Sequence, residues 1–428
     1  MKWRMRYLTM FVSSLLLVPL SFVLWTSNQK KILQIEVYAG SSWDVPNSRE
    51  NRVLDNIIRQ FEKSYPNVKV VYESGIPKKD YDNWLAEKIL KGEQADVFMV
   101  PENDFSMLAS SGAFKSLDSL ISKEEAAAYY PVAYQAGQYQ GHSYALPIES
   151  NPIMMCVNKD LLEKEGISIP DSNWTLEDLY AICQKVTKDT DGDGLIDQYG
   201  ITDYTWKQAL VAYNGHLRNQ NGVNIDSVEM HQALSFISKL DSLNQRYKVT
   251  SNDFDEGKVA FYPMSLAQYR TYKPYPYHVA KYSRFSWTCI PMPAAKAGIP
   301  ATQVKTSLFA MSSKTKQDKL AWEFMKLLCQ NQKNQQELFA KSQGTSVLTS
   351  VVKSSQTKKI LQADDFGLDS LTSQRLDHMM KHSVLDISRD LDYHSLERLD
   401  YLLGNALKNN EIDSILPSIQ REMEETGK

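Results

Sequence analysis

The chain has 428 residues, and at about 150 residues per domain that length predicts two or three domains rather than one small core. Hydrophobic residues make up 43% and charged residues 23%, near globular averages, while 18 Gly and 16 Pro are too few for a collagenous or low-complexity chain. A net charge of −3 leaves no basic surplus for neutralising phosphates, which argues against nucleic acid as a partner, and a mean hydropathy of −0.41 excludes a polytopic transporter.

Lys2, Arg4 and Arg6 precede residues 7–25, an uncharged run near the roughly 20 residues that a membrane-crossing helix needs. The run closes on Leu24, Trp25, Thr26 and Ser27, which makes a poor cleavage site, and no Cys follows it for lipid attachment. The expectation is therefore a cytoplasmic stub and an uncleaved anchor over 1–29, with the rest of the chain outside the cell. Pro19 weakens that helix and keeps the alternative of a cleaved signal peptide and a secreted protein.

Residues 32–38 read as a strand, and 47–63 show helical spacing through Val53, Leu54, Ile57, Ile58 and Phe61. A second strand at 68–72, a helix at 80–90 and a buried strand at 95–100 that stops at Pro101 complete an alternating pattern, which predicts α/β layering on a parallel sheet. Ligands of such sheets sit beyond the carboxyl ends of the strands, here the loops 40–46, with Trp43 and Asp44, and 101–105. Residues 144–157 form an extended apolar stretch broken by Glu149, Ser150 and Asn151. A strand that leaves one domain and enters another, with its polar residues in the cleft between them, accounts for that break. Helices follow at 161–164, 175–187 and 229–244, strands at 259–263 and 287–293, an apolar stretch at 307–311 and a helix at 318–339. The tail from 355 to 425 is charged and helical, with Leu399, Leu402, Leu403 and Leu407 at helix spacing.

The sharpest local signal is residues 189–200. Asp189, Asp191 and Asp193 occupy positions one, three and five of a calcium loop, Gly194 position six, Leu195 position seven and Asp197 position nine. Gly200 stands where the bidentate Glu belongs, so two readings stay open, a structural Ca²⁺ site and a solvated Asx/Gly turn. Cys156, Cys183, Cys289 and Cys329 have no metal or redox spacing and read as buried thiols, or as one or two disulfides. No hydrolase, metalloprotease, P-loop or dinucleotide signature is present, and His378 and His382, four apart in the charged tail, read as a solvated helix face. Tyr (23), Trp (8) and Phe (14) are plentiful, and rings beside carboxylates suit the C–H faces and hydroxyls of sugars. Trp43, Trp206 and Tyr262 fall near strand ends or loops and are the stacking candidates, with core packing as the alternative for each.

Seven stretches, among them ILQIEVYAG, ADVFMVPENDFSMLASSGAFKSLDSLI, SYALPIESNPIMMCVNKDLLEKEGI and WTLEDLYAICQKVTKDTDGDGLIDQYGI, stand in an order that resembles the family 1 extracellular solute-binding proteins. These are the sugar-receptor subunits of bacterial ABC importers, and the resemblance spans 32–350. It implies a two-lobed α/β fold with three interlobe crossings, at 148–151, 291–293 and 306–311, and a helical C-terminal region. The first lobe would comprise 32–148 and 291–308, the second 150–289 and 312–428. Glu149 then matches an acidic residue directed at sugar hydroxyls. The implied protein is a monomer that performs no chemistry, closes over a carbohydrate and presents it to permease subunits. The rival readings are a ligand-sensing co-receptor for a membrane histidine kinase and, with no catalytic constellation to support it, a surface glycan-processing enzyme.

Overall fold

The computed structural model describes residues 30–40, 42–43, 50–245, 247–272, 285–364, 370–409 and 411–426. The uncharged run 7–25 and Asp44 lie outside the described residues. Among the described residues no helix is long and apolar enough to cross a membrane.

Strands β1 (Lys31–Glu36), β2 (Val68–Glu73) and β3 (Val97–Val100) are parallel, with Lys31 opposite Val68 and Ile35 opposite Val97. Parallel neighbours need a crossover, and the helices Glu50–Ser64 and Lys78–Lys91 supply it. The first buries Val53, Ile57, Ile58 and Phe61, the apolar stripe read from its spacing, and the second buries Tyr81 and Leu85. Gly92 ends the second helix at φ 69°, a left-handed cap whose N–H satisfies the orphan carbonyls of the last turn.

A short hairpin, β4 (Gln138–Tyr139) and β5 (His142–Ser143), leads into β6 (Ala145–Asn158), a 14-residue strand that is almost wholly buried. The second half of the chain adds β7 (Tyr199–Ile201), the hairpin β8 (Arg218–Asn219) and β9 (Gly222–Val223), then β10 (Val259–Ser265) and β11 (Trp287–Ile290). It ends with β12 (Thr302–Met311), β13 (Thr345–Ser346) and β14 (Ser383–Leu385). The main sheet runs β2-β1-β3-β12-β6-β10-β7. Two long strands therefore serve both halves. At one end β12 pairs antiparallel with β3, Leu308 opposite Val100; at the other the far half of β6 pairs with β10 and β11. Between them β6 and β12 pair with each other from Val304 opposite Pro152 to Ala310 opposite Ala145, with a register shift between Ser307 and Leu308. The predicted polar interruption, Glu149, Ser150 and Asn151, sits at this shared stretch, opposite Ser307, Thr306 and Lys305.

Three apolar cores flank the sheet. One gathers β1, β3 and the helices beside them, a second the helices of residues 161–240 and the tail helices, and a third packs Tyr129 and Tyr130 with Cys156, Tyr262, Trp287 and Met380. The two-lobed α/β architecture expected from the sequence is present, but its bookkeeping differs in two places. Helix Asp318–Cys329, expected in the second lobe, places Ala321, Trp322, Phe324 and Met325 in the first core. No passage between lobes occurs at 291–293: Met292 and Ala294 stay in the second core, held by Leu176 N–H to Ala294 O (2.9 Å) and Trp174 Nε1–H to Pro291 O (2.9 Å). Pro291 and Pro293 end a strand, which says nothing of where the chain goes next. The passages run through β6, through β12, and through helix Gln332–Lys341 with β13, where Leu338 packs on the first core and Phe339 in the third.

The helix expected over 318–339 is two helices, because the Asn331 side chain accepts the Asn334 N–H (3.0 Å) and caps a new start. The tail helices Tyr393–Asn409 and Ile412–Thr426 bury Leu399, Leu403, Leu416 and Ile419 against the second core, as the spacing predicts. All four cysteines are buried.

Candidate functional site at the seam between the lobes

The end of β3 delivers Glu102 and Asp104 on the loop that Pro101 opens. Across the seam, β14 pairs with the start of β12 and then stops. The Asp386 carboxylate accepts the Ser388 N–H (2.8 Å) and caps a short 3₁₀ turn, Ile387–Asp390, whose Ile387 is anchored in the second core. That turn aims Arg389 back at the first lobe: its Nη2 donates to Ala136 O (3.1 Å) and its guanidinium lies 5.6 Å from the Phe105 ring centre. Lys305 comes from the shared strand β12.

These groups feel one another. Burial pushes the Glu102 carboxyl up to about 7, partly opposed by the charges of Lys305 and Arg389 and by an N–H from Thr306, and reinforced by Asp386. Asp104 is raised to about 6, by burial first and then by Asp82 and Asp392. Burial also raises Asp390 and lowers Arg389. Carboxylates that accept and cationic groups that donate, drawn from both lobes, suit the capture of a polar neutral molecule through paired hydrogen bonds.

Of the site residues read from the sequence, Glu149 and Trp43 meet each other. The Glu149 side chain, 3% exposed, lies where β6 leaves the first lobe. Its Oε1 accepts the Gly344 N–H (2.8 Å) and the Ser342 hydroxyl, and Trp43 hydrogen-bonds the same carboxyl. Burial raises it to about 7 against those donors and the nearby Arg270. Arg270 itself donates to Gly344 O (2.8 Å) and pairs with Asp364 (3.1 Å). An apolar cavity of about 70 Å³, lined by Val37, Ile57, Met99 and Phe309, opens beside Glu149. The carboxyl thus joins the first and third passages of the chain.

Trp206 borders the seam. It heads helix Trp206–Ala212, packs in the second core, and donates from Nε1 to Asp400 Oδ1 (2.7 Å). The next residue's carbonyl, Lys207 O, accepts from Gln303 Nε2 (3.5 Å), and Gln303 Oε1 accepts from Ile387 N–H (3.4 Å) on the turn that carries Arg389. Tyr262 belongs to the third core, edge-on to Phe254 at 5.3 Å, so for this ring the core-packing alternative is the one observed. The strand-end rule pointed to 101–105. The turn at 386–390 was hidden inside a tail read as continuous helix, although the run Asp386, Ser388, Asp390, Asp392 breaks the apolar period there.

In the acidic loop, ligand oxygens of Asp189, Asp191 and Asp197 lie within 4.8 Å of one another; Asp193 is not in that group, and Leu195 is 67% exposed. The Asp189 carboxylate accepts N–H groups of Gly192 and Gly194 (both 2.7 Å), which hold it below the usual carboxylate range. Three convergent hard oxygens fit a divalent cation in part.

A family model described as bacterial extracellular solute-binding protein matches residues 56–364. The chain belongs to that family. Its members act at the extracellular or periplasmic side, and binding, not catalysis, defines them. Among curated relatives, a maltotriose-binding protein of Pyrococcus abyssi is 25% identical over 138 residues, 32% of this chain and only 30% of the relative's own length. A putative binding protein of Brucella abortus is 24% identical over 292 residues, 65% of this chain and 68% of the relative. Among solved structures, the sugar-binding protein MalE of Xanthomonas citri superposes with a TM-score of 0.74 at 15% identity, covering 92% of this chain and 97% of that one. A Listeria monocytogenes ABC substrate-binding protein, solved with cycloalternan, gives 0.64 at 18% identity, covering 93% and 99%. At those identities the structures establish the fold, a two-lobed one.

Proposed function

We propose that this protein captures a carbohydrate, an oligosaccharide in particular, between its lobes and presents it to the permease of an ABC importer. The observation that carries the reading is the reach of Arg389, on a turn anchored in the second core, to Ala136 O (3.1 Å) and the Phe105 ring of the first lobe, with Glu102 and Lys305 close enough for their charges to act on one another. Sugar hydroxyls donate to carboxylates and accept from guanidinium and ammonium groups, so a ligand held from both sides stabilises the closed form over the open one. The ligands of similar proteins, maltotriose for the Pyrococcus relative and cycloalternan for the Listeria structure, point the same way. An anchor formed by residues 7–25 would keep the receptor beside its permease, and a Ca²⁺ held by Asp189, Asp191 and Asp197 would brace a loop of the second lobe.

Isothermal titration of the protein with a panel of linear and cyclic oligosaccharides tests the reading. Binding of one member, its recovery intact, and a loss of affinity of at least about tenfold (roughly 1.4 kcal/mol) in Arg389→Ala are expected. Heat from peptides or phosphorylated compounds, with none from any glycan, would refute it.

A further inference from the structure

We infer that Cys156 and Cys289 are a disulfide-forming pair that staples β11 to β6 once the chain has left the cell. The two residues stand directly opposite each other in the antiparallel β6–β11 register, and their sulfurs are 3.7 Å apart. The Cys289 N–H donates to Ser370 O (2.9 Å), away from β6. Cys156 and Cys289 are therefore a non-hydrogen-bonded cross-strand pair, whose Cα atoms approach to about 4.5 Å, within the range of about 4.4–6.8 Å that a disulfide spans. Both side chains are wholly buried in the third core, whereas Cys183 belongs to the second and Cys329 to the first. The arrangement thus selects one pairing out of the several that four cysteines allow.

Extracellular and periplasmic compartments sustain disulfides, and this family works there. Closure breaks two S–H bonds and forms one S–S bond. The two protons and two electrons pass to a disulfide oxidant, which leaves as two thiols. Because both sulfurs are covered in the finished fold, the exchange belongs to the stage of folding at which β11 has docked on β6 and the third core is still open. The resulting bond closes a span of 133 positions, which constrains the unfolded chain and raises resistance to heat.

The test uses the full chain in detergent, folded with oxidised glutathione and, in parallel, with a reductant. Each sample is then denatured and alkylated. The oxidised protein should take up two alkyl groups instead of four, yield a peptide joining residues 156 and 289, and melt higher than the reduced protein. Cys289→Ala should abolish that difference in melting while leaving three alkylatable thiols. In case that variant fails to fold, Cys183→Ser/Cys329→Ser provides a second reading: after oxidation it should take up no alkyl group. Four alkyl groups after oxidation, or a crosslink involving Cys183 or Cys329, would overturn the inference.

Discussion

Glu149 shows how far burial alters what a residue does. Read along the strand it is a polar break exposed to ligand; in the fold it is almost fully covered and accepts hydrogen bonds from Ser342 and Gly344. Replacing it with Ala leaves those buried donors without a partner, which costs about 1–3 kcal/mol for each. The expectation for Glu149→Ala is therefore a marked fall in melting temperature, readable by calorimetry; an unchanged melting point would mean that the network contributes nothing. The raised carboxyls also set a pH dependence. An unfolded Glu ionises near its ordinary value of 4.5, whereas Glu149 and Glu102 in the fold hold their protons up to about 7. Between those values the folded state binds more protons than the unfolded one, so stability falls as pH rises through that window and levels off above it. Glu149→Gln, which mimics the protonated acid, should shallow that fall. Denaturant unfolding of both proteins at pH 5 and pH 8 measures it, and equal slopes would remove Glu149 as a contributor.

At the scale of elements, the segment 342–346 works because it passes close over β6. A Cβ on Gly344 would meet Glu149 Oε1 at 2.5 Å and Cδ at 2.7 Å, so Gly344→Ala must push the passage off the carboxyl. A destabilisation of about 1–3 kcal/mol is expected from such overpacking, and chemical denaturation would show it. The acidic loop gives a second test at this scale. If Asp189, Asp191 and Asp197 hold Ca²⁺, adding the ion after chelation should raise the melting temperature, and Asp191→Asn should erase most of the rise. A melting point indifferent to Ca²⁺ would leave the solvated turn as the correct reading. The calcium-like spacing was legible because its residues are local; that Asp193 stands apart from the other three was not, since in the folded loop its Oδ1 accepts the Leu195 N–H (2.8 Å).

For the molecule as a whole, the arrangement of separate cores on shared strands predicts a hinge. Binding of an oligosaccharide should lower the radius of gyration measured by small-angle X-ray scattering, because a ligand that bonds both lobes favours the closed form over the open one. Scattering curves that superpose with and without bound ligand would exclude closure. The sequence alone determined the alternation of strands and helices, the loop beyond β3 and the amphipathic tail, because each follows from the polarity of neighbours a few positions apart. Which carboxylates meet at the seam, where the chain crosses between lobes, and that Cys289 faces Cys156 were decided only by tertiary structure. Those contacts join segments far apart in the chain, and their energies depend on how whole cores pack, which no local period records.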